Sequence, residues 1–95
     1  MNTIWIVVPC YNEEDALPES VSVLLKILHT MEQAERISPQ SRLLLVDDGS
    51  KDRTWHIIEG LTRTRPQVCG LKLRTNRGHQ NAVMAGMLTA IRYAD

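Results

Sequence analysis

The chain has 95 residues, which is enough for one small domain with a modest core. Its eleven basic and eleven acidic residues cancel, which argues against a nucleic-acid binder because such proteins usually carry a basic excess. Two cysteines make no disulfide framework, the N-terminus shows no signal-peptide pattern, and apolar runs of about five residues are too short to span a membrane. The simplest interpretation is a cytoplasmic protein.

Three apolar runs of strand length divide the chain. They cover residues 4–8, 43–46 and 68–73. The first run is β-branched and aromatic without alternation, so we expect a strand that is buried on both faces. Pro9 cannot donate to a ladder and should end that strand.

Each run is followed by a segment of helical periodicity. These segments are residues 17–31, 53–63 and 80–93. Pro18 suits the first turn of the first helix, and Asp52 is a good N-cap for the second. The third helix carries a face of small residues, including Ala85 and Gly86, so we expect it to pack closely on the sheet. The order β-α-β-α-β-α predicts an α/β fold with a parallel sheet.

A polar cluster follows each apolar run. The clusters are Pro9-Cys10-Tyr11-Asn12-Glu13-Glu14, Asp47-Asp48-Gly49-Ser50 and Asn76-Arg77-Gly78-His79. Because the carboxyl ends of parallel strands lie along one edge of the sheet, where ligands bind, the three clusters should meet in space.

The second cluster offers two carboxylates at a strand end. An ionised carboxylate only accepts hydrogen bonds, so one of them can receive the imide N–H of uracil, which cytosine lacks. The alternative is a plain turn, because Asp-Gly-Ser favours turns and caps without any ligand. We expect Asp47 to face the ligand and Asp48 to be the capping partner.

The first cluster suits the nucleoside side of the same pocket. Tyr11 offers a flat apolar face and a polar tip to a base or ribose, and Glu13 can accept from a ribose hydroxyl. Pro9 and Asn12 complete this loop, while Cys10 is interpreted as a small buried hydrophobe. The alternative is a strand that ends at proline, followed by an acid-rich helix start.

The third cluster precedes a predicted helix N-terminus, where free backbone N–H groups and the helix dipole attract phosphate. Arg77 can add a charged contact beside Asn76 and Gly78. The alternative is a solvated turn. No metal-ligand set is visible around His79, so no metal site is assigned to this chain.

Taken in order, the clusters resemble the opening of a family 2 glycosyltransferase. The nearest subgroup resembles dolichyl-phosphate-mannose synthase and the bacterial polyprenyl-phosphate (bactoprenol) glucosyltransferases. The motifs that carry the resemblance are Val8-Pro9-Cys10-Tyr11-Asn12-Glu13-Glu14, Val46-Asp47-Asp48-Gly49-Ser50-Lys51-Asp52 and Asn76-Arg77-Gly78-His79-Gln80-Asn81-Ala82. The resemblance implies that residues 1–95 form the Rossmann-like, nucleotide-sugar-binding first half of a GT-A domain.

The resemblance also implies a reaction: inverting transfer of a sugar from a nucleotide sugar, expected to be UDP-linked, to a polyprenyl phosphate or other glycan or lipid acceptor. Mg²⁺ or Mn²⁺ would be held mainly by an Asp-x-Asp motif. We expect that motif, the catalytic residues and any membrane helices beyond Asp95, so residues 1–95 alone should be inactive. The complete enzyme, of which residues 1–95 would be the N-terminal part, would make cell-envelope polysaccharide at the cytoplasmic face of the inner membrane. A missing fourth strand would expose a sheet edge and favour self-association into homo-oligomers.

Two other classes of protein share this architecture. A nucleotidyltransferase would need a Gly-rich basic loop after the first strand, whereas residues 11–14 are acidic. A non-enzymatic receiver-type module would need a phosphoacceptor aspartate after the third strand, where Thr75 and Asn76 stand instead. An inactive interaction module is the remaining alternative.

Overall fold

The computed structural model describes residues 2–74 and 86–87 of the chain. Within them, strands and helices alternate. The elements are β1 (Trp5–Cys10), α1 (Leu17–Gln33), β2 (Arg42–Asp48), α2 (Thr54–Thr64) and β3 (Val68–Leu73). Of the third predicted helix, only Gly86 and Met87 are described, and both are helical.

The three strands form one parallel sheet in the order β1-β2-β3, which confirms the predicted α/β class. The register places Cys10 beside Asp47 and Asp48 beside Leu73. All three strands therefore reach their carboxyl ends at the same edge, which we call the carboxyl edge of the sheet. The first and second polar clusters meet there, as the sequence predicts.

The central strand β2 divides the core into two layers. Leu43 and Leu45 face α1 and α2, whereas Leu44 and Val46 lie in the other layer, and all four are at most 1% exposed. The helix side is filled by Leu17, Val21, Leu28 and Ile58, which are also buried. Each fully buried aliphatic side chain contributes about 1.5–3 kcal/mol, so this small aliphatic core holds the carboxyl edge in place.

The first strand differs from its prediction in two ways. It continues through Pro9, which pairs with Val46, and ends at Cys10. Among the described residues β1 pairs with β2, and proline is tolerated at a strand position whose missing N–H breaks no bond to that neighbour. Residues 5–9 are also only half-buried, and it is β2 that is buried on both faces.

The described part of the third helix approaches the sheet closely. Gly86 is buried, and a Cβ atom added to it would collide with the Val7 side chain and lie 2.8 Å from the Val46 Cγ2. This contact confirms the predicted close packing at Gly86. Ala85 lies outside the described residues.

Pro18 occupies the first turn of α1, as predicted.

Neither of the two helices described in full combines the length and the apolarity needed to cross a bilayer. Both β1 and β3 lie at sheet edges within the described region.

Candidate functional site

Two loops meet at the carboxyl edge. The first loop comprises residues 11–16 between β1 and α1, and the second loop comprises residues 49–53 between β2 and α2. The third polar cluster, with Asn76, Arg77, Gly78 and His79, lies outside the described residues. Within the described residues, the candidate site is therefore built from the two loops and the ends of β1 and β2.

Asp47 is the centre of this edge. Its side chain is 0% exposed, and its Oδ1 accepts the backbone N–H of Ser50 at 3.1 Å. Its Oδ2 is also buried, and no residue that the structure describes donates a hydrogen bond to it. A buried acceptor without a donor costs about 1–3 kcal/mol, and more when it is charged, so this oxygen is a strong candidate to receive an N–H from a ligand.

Asp47 and Asp48 are neighbours at the end of β2. Asp47 accepts the hydrogen bond of the turn, from the Ser50 N–H, whereas the sequence predicted Asp48 as the capping partner. Side chains alternate along a strand, so Asp47 points to the side of the sheet that carries the second loop and Asp48 points to the other. Asp48 is also buried, at 3% exposure.

The turn after β2 depends on glycine. Gly49 has a φ of 71°, in the left-handed region that costs glycine little and other residues more. This conformation brings the Ser50 N–H back to the Asp47 carboxylate. The second loop thus fixes one oxygen of Asp47 and leaves the other directed elsewhere.

Asn12 and Ser50 fasten the two loops together. The Asn12 N–H donates to the Ser50 Oγ at 2.9 Å, and the Lys51 N–H donates to the Asn12 Oδ1 at 2.9 Å. Asn12 itself has a φ of 51°, a left-handed conformation that asparagine tolerates better than most residues. The side-chain oxygen of Asn12 therefore already accepts a hydrogen bond within the protein. The nucleotide contact predicted for Asn12 remains a prediction.

Asp52 and Thr54 make a second connection between the loops. The Glu13 N–H donates to the Thr54 Oγ1 at 2.8 Å, and the Glu14 N–H donates to the Asp52 Oδ2 at 3.3 Å. Asp52 Oδ1 accepts from both the hydroxyl and the backbone N–H of Thr54. Chiefly the bond from the Thr54 hydroxyl, with smaller contributions from backbone N–H donors, lowers the pKa of Asp52 below its usual 3.8.

Asp52 thus binds the start of α2, as predicted for an N-cap, although α2 begins at Thr54 and the N-cap position proper is Arg53. The two links hold the backbone of residues 12–14 against the second loop. Tyr11 stands beside this segment with 37% of its surface exposed. An exposed aromatic ring next to a fixed loop offers a flat surface on which a base or ribose can pack.

Cys10 lies beneath the site at 1% exposure, which confirms its interpretation as a packing residue. Burial, and then the negative charges of Glu13 and Asp47, raise the pKa of its thiol to about 12. The thiol therefore stays protonated at neutral pH and is a poor nucleophile.

No group of three His, Cys, Asp or Glu side chains in residues 2–74 and 86–87 is arranged to hold a metal ion. A cavity of about 460 Å³ lies at the opposite edge of the sheet, lined by Ser22, Leu25, Lys26, His29, Thr30, Arg65 and Gln67. All its lining residues are half-buried or exposed. The carboxyl edge is the stronger candidate because it holds the buried, unpaired carboxylate oxygen of Asp47.

Sequence reasoning missed the roles of Ser50 and Thr54. Both hydroxyls accept backbone N–H groups of the first loop, at 38 and 41 residues' separation. One feature of the sequence could have indicated these contacts. The first loop has consecutive backbone N–H groups that need acceptors, and the hydroxyls of Ser50 and Thr54 lie near the two ends of the second loop. Which hydroxyl meets which N–H depends on how the strands pair.

Comparison with known proteins identifies the family. The sequence model of glycosyl transferase family 2 matches residues 5–91, and the chain therefore belongs to this family. It is 42% identical over 90 residues to a Bacillus subtilis (strain 168) protein named "Uncharacterized glycosyltransferase YkoT", a match that covers 95% of this chain and 27% of that protein.

Two further relatives carry more specific names. Both are called undecaprenyl-phosphate 4-deoxy-4-formamido-L-arabinose transferase, and they come from Shewanella sediminis (strain HAW-EB3) and Edwardsiella ictaluri (strain 93-146). They are 40% and 39% identical to this chain over 82 residues, which are 85% of the chain and 23% of each relative. The chain thus spans about a quarter of the length of these relatives.

Proposed function

We propose that this chain forms the nucleotide-binding part of a glycosyltransferase that uses a UDP-linked sugar. Membership of glycosyl transferase family 2 supports the class of reaction. The observation that carries the choice of nucleotide is the buried Asp47 Oδ2, which lacks a donor among the described residues.

Uracil supplies the donor that this oxygen needs. Its N3 carries a hydrogen, whereas cytosine has an unprotonated N3 that would face the carboxylate with a lone pair. Asp47 cannot rotate to avoid this repulsion, because its Oδ1 is held by the Ser50 N–H. The site therefore favours a uridine nucleotide over a cytidine nucleotide.

The remaining predicted contacts extend the pocket from the base. Tyr11 would pack on the base or ribose and Glu13 would accept from a ribose hydroxyl, with Pro9 and Asn12 shaping the loop and Asp48 close to the strand end. Asn76, Arg77 and Gly78 would receive the diphosphate. This arrangement would orient the donor by its nucleotide end and leave the sugar free to react.

The acceptor we propose is a polyprenyl phosphate, because two relatives are named as undecaprenyl-phosphate sugar transferases. In an inverting reaction, an oxygen of the acceptor phosphate bonds to the anomeric carbon while the bond from that carbon to the diphosphate breaks, and UDP leaves. Such an enzyme would act on the cytoplasmic face of the inner membrane, in synthesis of the cell envelope.

Mg²⁺ or Mn²⁺, which the resemblance implies, would neutralise the leaving diphosphate. The described residues contain no group of three ligands for it, so we assign none of them a metal-binding role. The part that these residues play is to bind and orient the nucleoside.

Titration calorimetry with UDP and CDP tests the proposed nucleotide. A hydrogen bond to a charged group contributes about 1.5–3 kcal/mol, so we expect UDP to bind about 10- to 150-fold more tightly than CDP. Equal affinities would contradict the role of Asp47 in reading the base. Failure of the folded protein to bind either nucleotide would contradict the proposed function itself.

A further inference from the structure

We propose that Thr54 is a positioning residue for the nucleotide site: its hydroxyl holds the first loop in the conformation that receives the nucleoside. This inference rests on the proposed function. Thr54 is the first residue of α2 and is buried, and both hydrogen-bond partners of its hydroxyl are protein groups, on Asp52 and Glu13. Its action is on the backbone that carries Tyr11 and Glu13.

The direction of the Thr54 hydroxyl is fixed by its two partners. It donates to Asp52 Oδ1 and accepts the Glu13 N–H at 2.8 Å. An ionised carboxylate only accepts and a backbone N–H only donates, so the hydroxyl hydrogen must point to Asp52 and a lone pair to Glu13. One side chain therefore completes a chain of hydrogen bonds from the second loop to the first.

The adjacent contacts show why this bond matters for the site. Asp52 takes the next N–H, that of Glu14, at 3.3 Å, and Ser50 takes the preceding one, that of Asn12, at 2.9 Å. Three consecutive N–H groups of the first loop are thus bound by three side chains of residues 50–54. Thr54 holds the middle one, directly at the residue whose carboxylate we assign to the ribose.

The second loop also holds Asp47, because the Ser50 N–H donates to the Asp47 carboxylate. The proposed base contact and the proposed ribose contact are therefore aligned by one continuous segment, residues 47–54. If the Thr54 hydroxyl is removed, the first loop must be ordered when the nucleotide binds, and affinity falls by that cost. The loss should appear in binding even when the fold is retained.

Two substitutions separate positioning from packing. Thr54→Val keeps the size and β-branching but removes the hydroxyl, whereas Thr54→Ser keeps the hydroxyl and removes a methyl group. We expect Thr54→Val to weaken UDP binding by about 2- to 12-fold, the range for one hydrogen bond, and Thr54→Ser to retain the wild-type affinity. Calorimetry on the folded proteins gives both values.

Amide hydrogen exchange, followed by NMR, reports on the link without any ligand. The Glu13 amide should exchange slowly in the wild type and in Thr54→Ser, and faster in Thr54→Val. If Thr54→Val does not fold, the wild type still decides: a Glu13 amide that exchanges as fast as an unprotected peptide overturns the proposal.

The outcomes distinguish this inference from the function on which it rests. A folded wild-type protein that does not bind UDP contradicts the proposed function. UDP binding by the wild type that is unchanged in folded Thr54→Val overturns the positioning role alone. Equal weakening in the valine and serine variants would also overturn it, because that pattern reports lost packing.

Discussion

Replacement of Asp47 by asparagine is expected to weaken UDP binding by about 10- to 150-fold. In the proposed complex the two carboxylate oxygens meet two donors, the Ser50 N–H on Oδ1 and the uracil imide on Oδ2. Asparagine has the same size but only one acceptor. Either orientation of its amide therefore sets an NH₂ group against a donor, and the charge is lost as well.

The measurement is calorimetric titration of the folded variant with UDP and CDP. Because the contact reads the base, Asp47→Asn should also lose most of the preference for UDP over CDP, and its CDP affinity should rise because the new NH₂ group can donate to the unprotonated N3 of cytosine. Unchanged UDP affinity in a protein with a wild-type circular dichroism spectrum would remove Asp47 from the site.

Replacement of Gly86 by alanine is expected to destabilise the protein by about 1–3 kcal/mol. The new Cβ would collide with the Val7 side chain and lie 2.8 Å from Val46 Cγ2, so the helix or the sheet must shift. This sign is opposite to the usual one, since alanine is favoured over glycine within a helix by about 1 kcal/mol. Urea denaturation measures the free energy of unfolding.

Gly60→Ala is the matched control. Gly60 lies inside α2, and a Cβ added there would meet nothing within 4 Å, so the substitution should stabilise the protein by about 0.5–1 kcal/mol. Opposite signs for the two variants would confirm close helix–sheet packing at Gly86. Stabilisation by both would show that the third helix does not press on Val7 and Val46.

Periodicity predicted the elements well because most of them are set by burial. Val68–Leu73 matches the predicted third strand, and Thr54–Thr64 is displaced by one residue from the predicted second helix. The predicted end of β1 was wrong, because the effect of Pro9 depends on whether its missing N–H would have bonded to the neighbouring strand. That depends on how the strands pair, which the local sequence does not contain.

The candidate site could be predicted about as well as the fold. The meeting of the first two clusters follows from parallel pairing, and the buried position of Asp47 follows from its place at the end of a central strand. The hydrogen bond from the Ser50 N–H to Asp47 was not predicted, because it depends on which face of the sheet the Asp47 side chain takes. The hydroxyl contacts of Ser50 and Thr54 were also beyond reach, since they join loops that only the folded sheet brings together.

NMR mapping of the UDP-binding surface tests most directly whether the nucleotide binds at the carboxyl edge. Titration with UDP should shift the backbone amide signals of the carboxyl edge, foremost those of Glu13 and Ser50, and leave those around the opposite cavity unchanged. Shifts concentrated instead on the residues of that cavity, such as His29 and Arg65, would contradict the assignment of the nucleotide site to the carboxyl edge.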